Sequence, residues 1–158
     1  MTTDFNLAEN GSGGDITILG NDIAMTETLL QSAYLAMFGG NVESNTSGNE
    51  LENEQRFDWW GNGLFHSQYP NKQFNSNTER ALNQTPVTTS GRIEIERAVE
   101  MDLAFLKSVA EIDVQVGIVS HNSLSILITM LPYGNKQEKI LQLLYDNAKN
   151  EIIIQKEI

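Results

Sequence analysis

The chain has 158 residues, of which 21 are acidic and 10 basic, for a formal net charge of −11. It contains no cysteine, which excludes disulfides, thiol catalysis and thiolate metal sites. A field of this sign repels phosphate backbones and anionic lipids, so neither nucleic acid nor a membrane surface is an expected partner.

Forty per cent of the residues are hydrophobic, enough for one modest core. No run approaches the roughly 18 apolar residues of a membrane span. The first fifteen residues, MTTDFNLAENGSGGD, have no basic region and no apolar core, so no signal peptide is expected. The charge is uneven: residues 1–91 hold 11 acidic and 3 basic residues, and residues 92–158 hold 10 and 7. The expected organisation is a flexible arm over 1–14 followed by a single domain over 15–158. A loop-rich acidic half (15–91) precedes a helix-and-hairpin core (92–158).

In chain order, DITILG at 15–20 suits a short strand, and Gly20-Asn21 supplies a turn. Thr26 can cap a helix over 26–38, with Glu27 at its positive end. Leu29, Leu30, Ala33, Met37 and Phe38 recur at helical spacing, Tyr34 falls at the edge of that face, and Gly39-Gly40 stops the helix. Residues 41–55, NVESNTSGNELENEQ, carry four glutamates and no Lys or Arg, the composition of a solvated loop. A short helix is expected around Asn77 to Asn83, ended by Pro86.

The strongest helix signal runs from about Gly91 to Ala110. Ile95, Val99, Leu103, Leu106 and Ala110 form one stripe, with Arg92 and Glu96 a turn apart on the solvent side. The period then changes to two. Val114, Val116 and Ile118, and after the turn Ser120-His121-Asn122 also Leu124, Ile126, Ile128 and Met130, alternate with mostly polar residues. This is an antiparallel hairpin with one apolar face, which the helix stripe can cover. Residues 136–158 suit a second hairpin, KILQLLYD and EIIIQKEI about Asp146-Asn147. A helix capped by Asn135 and Glu138 is the alternative. The fold class is therefore α+β: a long helix packed on an antiparallel sheet of hairpins, with an additional N-terminal helix.

Groupings that carry chemistry are scarce. The two histidines, His66 and His121, are 55 positions apart and fit no metal-ligand spacing. There is no GxSxG, no phosphate loop and no dinucleotide fingerprint. Glu94, Glu96 and Glu100 fall along one helix, where a solvated face is the simpler reading than a carboxylate pair with one raised pKa. No catalytic residue, cofactor, metal or small-molecule substrate is expected, and the chain is not expected to be an enzyme.

The exception to this plainness is FDWWGNGLF at 57–65. Trp59 and Trp60 can plug their own core, anchor a protein interface or stack on a sugar ring. The order of features then becomes informative. Gly14-Asp15-Ile16 and Asn21-Asp22-Ile23 precede an apolar helix ending in Phe38. A polar stretch follows, then Asp58-Trp59-Trp60-Gly61-Asn62, a long helix and an alternating hairpin.

Over roughly residues 13–131 this order resembles the baseplate protein family of Mu-like phages and prophages. That family is related to the small wedge protein of contractile phage tails and of type VI secretion baseplates. Two departures stand out. Residues 63–90 are longer and richer in Asn and Ser than that pattern. Where the wider family carries Glu-Pro-Arg, between the long helix and the first hairpin strand, this chain reads Ala110-Glu111-Ile112-Asp113, so only the Glu is matched.

The resemblance implies a non-enzymatic wedge component located in the virion tail baseplate and assembled in the bacterial cytoplasm. Its partners would be other wedge, tube or sheath proteins. Asp58, Trp59, Trp60 and Glu111 are the candidate partner-binding or loop-anchoring residues, the tryptophans pinning the acidic loop back onto the core. The alternative is a peptidoglycan-active or glycan-binding protein, since some members of the wider family are described as lysozyme-like. That alternative rests on the Trp pair and the surplus of carboxylates.

Overall fold

The structure, a computed structural model, describes residues 3–8, 15–41, 57–58, 60–69, 72–134, 137–149 and 151–157. The fold is α+β, and every paired strand in it is antiparallel. The chain divides into two compact units, Met1–Arg80 and Ala81–Ile158. The division therefore falls earlier than the expected 91/92 boundary between a loop-rich half and a core.

The first unit opens with short strands: β1 (Thr3–Phe5), β2 (Leu7–Ala8), β3 (Asp15–Ile16), β4 (Ile18–Leu19), β5 (Asp22–Ile23) and β6 (Met25–Glu27). β1 pairs with β6, β2 with β3, and β4 with β5. Three backbone bonds join the pairs where they meet. Asn6 N–H donates to Ala24 O, Ala24 N–H to Thr17 O, and Thr17 N–H to Asn6 O. Residues 3–8 are thus ladder strands, which corrects the expected arm over that stretch. The turn at Gly20-Asn21 forms where the sequence placed it, with Gly20 at φ 68°, a conformation a side chain disfavours.

Helix α1 runs from Thr28 to Phe38. Thr26 does not cap it. Thr26 lies in β6 opposite Asp4, and Glu27 occupies the capping position without a side-chain bond. The expectation of one buried face is also corrected. Every residue from Ala33 to Phe38 is buried, and so are Leu30 and Gln31. Tyr34 is not at an edge but inside, its ring 5.2 Å from that of Phe38. A helix apolar on all sides needs cover on all sides.

Past α1 come β7 (Gly40–Asn41), β8 (Phe57–Asp58), α2 (Trp60–Phe65) and α3 (Asn77–Gln84). The unit boundary falls inside α3. Ser76, fully buried, starts this helix. Its Oγ accepts the N–H of Glu79 at 2.9 Å and donates to the carbonyl of Met37, while its N–H reaches Gly40 O at 2.6 Å. One serine therefore satisfies an orphan donor of α3, the Met37 carbonyl in the last turn of α1 and the carbonyl of Gly40 in β7.

The second unit contains α4 (Thr89–Asp102), a 3-10 segment (Ala104–Ser108) and four strands: β9 (Ala110–Ser120), β10 (Ser123–Pro132), β11 (Lys139–Asp146) and β12 (Glu151–Glu157). Thr88 caps α4, its Oγ1 accepting from Gly91 N–H at 3.1 Å. The helix ends eight residues before the expected Ala110, which is instead the first residue of β9. The apolar stripe survives this correction, since Ile95, Val99, Leu103, Leu106 and Ala110 are all buried.

The sheet order is β12-β11-β10-β9, a meander. The second hairpin forms, and the alternative helix over 140–148 does not. Asp146 Oδ1 accepts from Ala148 N–H and Lys149 N–H, which closes the turn. Leu124, Ile126, Ile128 and Met130 of β10 are fully buried on one face. They stand opposite Tyr145, Leu143, Leu141 and Lys139 of β11, which are also buried. α4 packs against β9 at the edge of this sheet. Truncating a residue such as Ile126 to alanine removes about 2–5 kcal/mol through lost burial and a residual cavity.

Candidate functional site

The four candidate residues fall in different units. In the first, Asp58 lies in β8 opposite Gly40, and Trp60 starts α2. Trp59, the side chains of Asp58 and Trp60, and residues 42–56 are outside the described residues, and with them the expected pinning of the acidic loop. Glu111 belongs to the second unit. It is exposed, second in β9, and stands opposite Leu131.

The surroundings of Glu111 hold what sequence reasoning missed. Between α4 and β9 the chain exposes Met101 (64 %), Phe105 (54 %) and Val109 (52 %). Tyr133, 64 % exposed, is fastened to the end of this stretch. Its N–H donates to Val109 O at 3.0 Å and its hydroxyl to Lys107 O at 3.1 Å. These bonds hold an aromatic ring at the end of β10 against the 3-10 segment although water surrounds it. One signal was present: Met101, Phe105 and Val109 recur every four residues to one side of the buried stripe. The acidic groups nearest in sequence are Glu100, Asp102, Glu111 and Asp113, and Lys107 is the cation among them.

The first unit exposes its own apolar side chains, Ile18, Leu19 and Met25 on the short strands and Leu64 and Phe65 on α2. His121 is exposed at the β9–β10 turn. Among the described residues no group of three or more His, Asp or Glu side chains could hold a metal ion, and no helix is long and apolar enough to cross a membrane.

Arg92 and Glu96 do not lie on a solvent face. Their ion pair, 2.7 Å long, is only about a third exposed (31 % and 30 %) and reaches the sheet. Arg92 Nη1 donates to Val116 O at 3.0 Å, and Glu96 Oε2 accepts from Val116 N–H at 3.3 Å. Glu94 and Glu100, flanking on the same helix, are exposed as expected.

Burial pushes the Tyr145 hydroxyl above its ordinary range, and the neighbouring Asp146 carboxylate adds to the shift. That hydroxyl donates to Leu82 O at 3.2 Å, tying the C-terminal half of α3 to β11, and has Asn147 Oδ1 at 3.4 Å. This is a structural bond between two elements of the second unit. No family model, curated protein or solved structure matches the chain.

Proposed function

We propose that this chain is a non-enzymatic structural component of a contractile phage or prophage tail baseplate wedge, binding other wedge, tube or sheath proteins. The observation that carries the reading is the exposed Tyr133, held by Val109 and Lys107 two residues beyond the partner of Glu111, with Met101, Phe105 and Val109 also exposed on the stretch leading into β9. A large ring held in water by specific bonds, with further apolar side chains exposed on the adjoining segment, suits a surface that another protein covers. Their position, at the passage from the long helix to the first hairpin strand, coincides with the place where the resembled family carries its motif.

The ordered features over 13–131 support the choice of assembly, and the exposed apolar side chains support the choice of surface. Flanking acids suit a partner with basic residues around an apolar centre. The test is co-expression with candidate wedge, tube and sheath proteins and isolation of a stoichiometric complex. Phe105→Asp with Tyr133→Asp places charge on the surface while leaving the buried stripe intact. Loss of the complex with an unchanged fold supports the reading, and an undiminished complex removes this surface from it.

A further inference from the structure

The strand β9 forms one end of the sheet, with α4 packed against it, and a strand end with no strand beside it is a template for another chain. In an antiparallel ladder a residue points its N–H and C=O either both toward the paired strand or both away. Those of Val116 go to Glu96 and Arg92, so they point away from β10. The register Ile112↔Met130, Val114↔Ile128, Val116↔Ile126 and Ile118↔Leu124 is unbroken, so Ile112, Val114 and Ile118 point the same way.

This edge is self-complementary. Two copies of β9 paired antiparallel about Gln115 place Val114 opposite Val116 and Ile112 opposite Ile118, each an outward residue facing an outward residue. Asp113 then faces Gly117 and Glu111 faces Val119, so no acid opposes an acid. Val116 sits next to the centre of that arrangement, where its two bonds would be made first.

We infer that the Arg92–Glu96 pair masks a latent self-association edge: it fills the hydrogen-bonding positions of Val116 that a second copy of β9 would take. The two side chains act as a one-residue substitute strand, donating and accepting where a backbone would. Their i,i+4 spacing on α4 matches the separation of the donor and acceptor on a single residue of the strand.

The test starts with amide exchange in the full chain. The Val116 amide, held by Glu96, should exchange at least tenfold more slowly than that of Ile118, whose outward N–H has no partner among the described residues. Equal rates would overturn the inference. In Arg92→Met/Glu96→Met, which keeps length and helix propensity but removes both bonds, mass by light scattering should rise above the parent's with concentration. Adding Ile118→Lys, a charge on the same edge, should reverse the rise. A folded variant with the parent's mass at every concentration contradicts the proposal, and so does association that Ile118→Lys leaves untouched. Should the double variant fail to fold, Glu96→Leu alone gives the same readout.

Discussion

Glu96 accepts a hydrogen bond from the backbone N–H of Val116, twenty residues further along the chain, and Arg92 donates to the carbonyl of that same residue. The pair that looks like a surface helix bridge is therefore a joint between α4 and the sheet edge. An exposed bridge of this spacing contributes a few tenths of a kcal/mol. A charge-assisted bond to a half-buried backbone group contributes about 1.5–3 kcal/mol.

Arg92→Ala is accordingly expected to lower stability by about 1–2 kcal/mol, well beyond a surface pair. Urea unfolding measures it. A double-mutant cycle with Glu96→Ala should show strong coupling, because both side chains serve one strand residue. A loss within error of zero would return the pair to the surface.

Tyr145→Phe should cost about 1–2 kcal/mol, since it leaves the Leu82 carbonyl without its donor. The same bond gives a pH signature. Burial raises the folded-state pKa above the unfolded value near 10. The stabilisation is then fully present below about pH 10 and is lost as the pH rises through the raised value. The stability gap between parent and Tyr145→Phe should narrow from pH 9 to pH 11. A gap that widens would show that the hydroxyl is not held protonated.

Ser76→Ala is expected to destabilise by about 1–3 kcal/mol, more than a surface cap, because the Oγ serves α3 and the end of α1 together. Amide exchange should localise the change to residues 37–40 and to the first turn of α3. An effect confined to α3 would mean that the contact with Met37 is without weight.

Gly91→Ala tests local packing through its sign. In an ordinary helix interior the change stabilises by about 1 kcal/mol. Here a Cβ would run into the Pro86 carbonyl and lie 2.7 Å from Thr85 Cγ2, so a loss of about 1–3 kcal/mol is expected. Thermal unfolding decides it.

Much of the second unit could be read in advance, because its strands alternate with period two and its turns carry Asn and Asp. The end of α4 could not. The step of three from Leu103 to Leu106 fits a helical stripe, yet it is also the period of the 3-10 segment that forms there. The reach of Arg92 and Glu96 to Val116 has no counterpart in helix periodicity, which ranks residues by face and is blind to a strand arriving alongside. Pairing also explains the N-terminus. The partners of Thr3–Phe5 lie twenty or more residues away, and that pairing takes Thr26 out of the capping position. Of the candidate site, the place of Glu111 between helix and hairpin was legible, while its candidacy rests on the resemblance alone. The ring of Tyr133 beside it was not, since two backbone acceptors 24 and 26 residues away hold it.

The tryptophan pair bears on the proposed role through assembly rather than turnover. Trp59→Ala and Trp60→Ala are expected to reduce solubility or incorporation into a complex. Sedimentation of each variant alone and with partner proteins measures this. Variants as soluble as the parent that still incorporate would leave the pair without a role at an interface.

The most direct measurement of the central claim is a co-purification. The tagged chain, expressed with the products of its neighbouring genes, is eluted and its stoichiometric partners are identified. The account predicts recovery with large wedge, tube or sheath-like proteins, and loss of them on Phe105→Asp/Tyr133→Asp. Recovery of the chain alone at every salt concentration would contradict it. A change in tryptophan fluorescence with muropeptides would then favour the glycan-binding alternative.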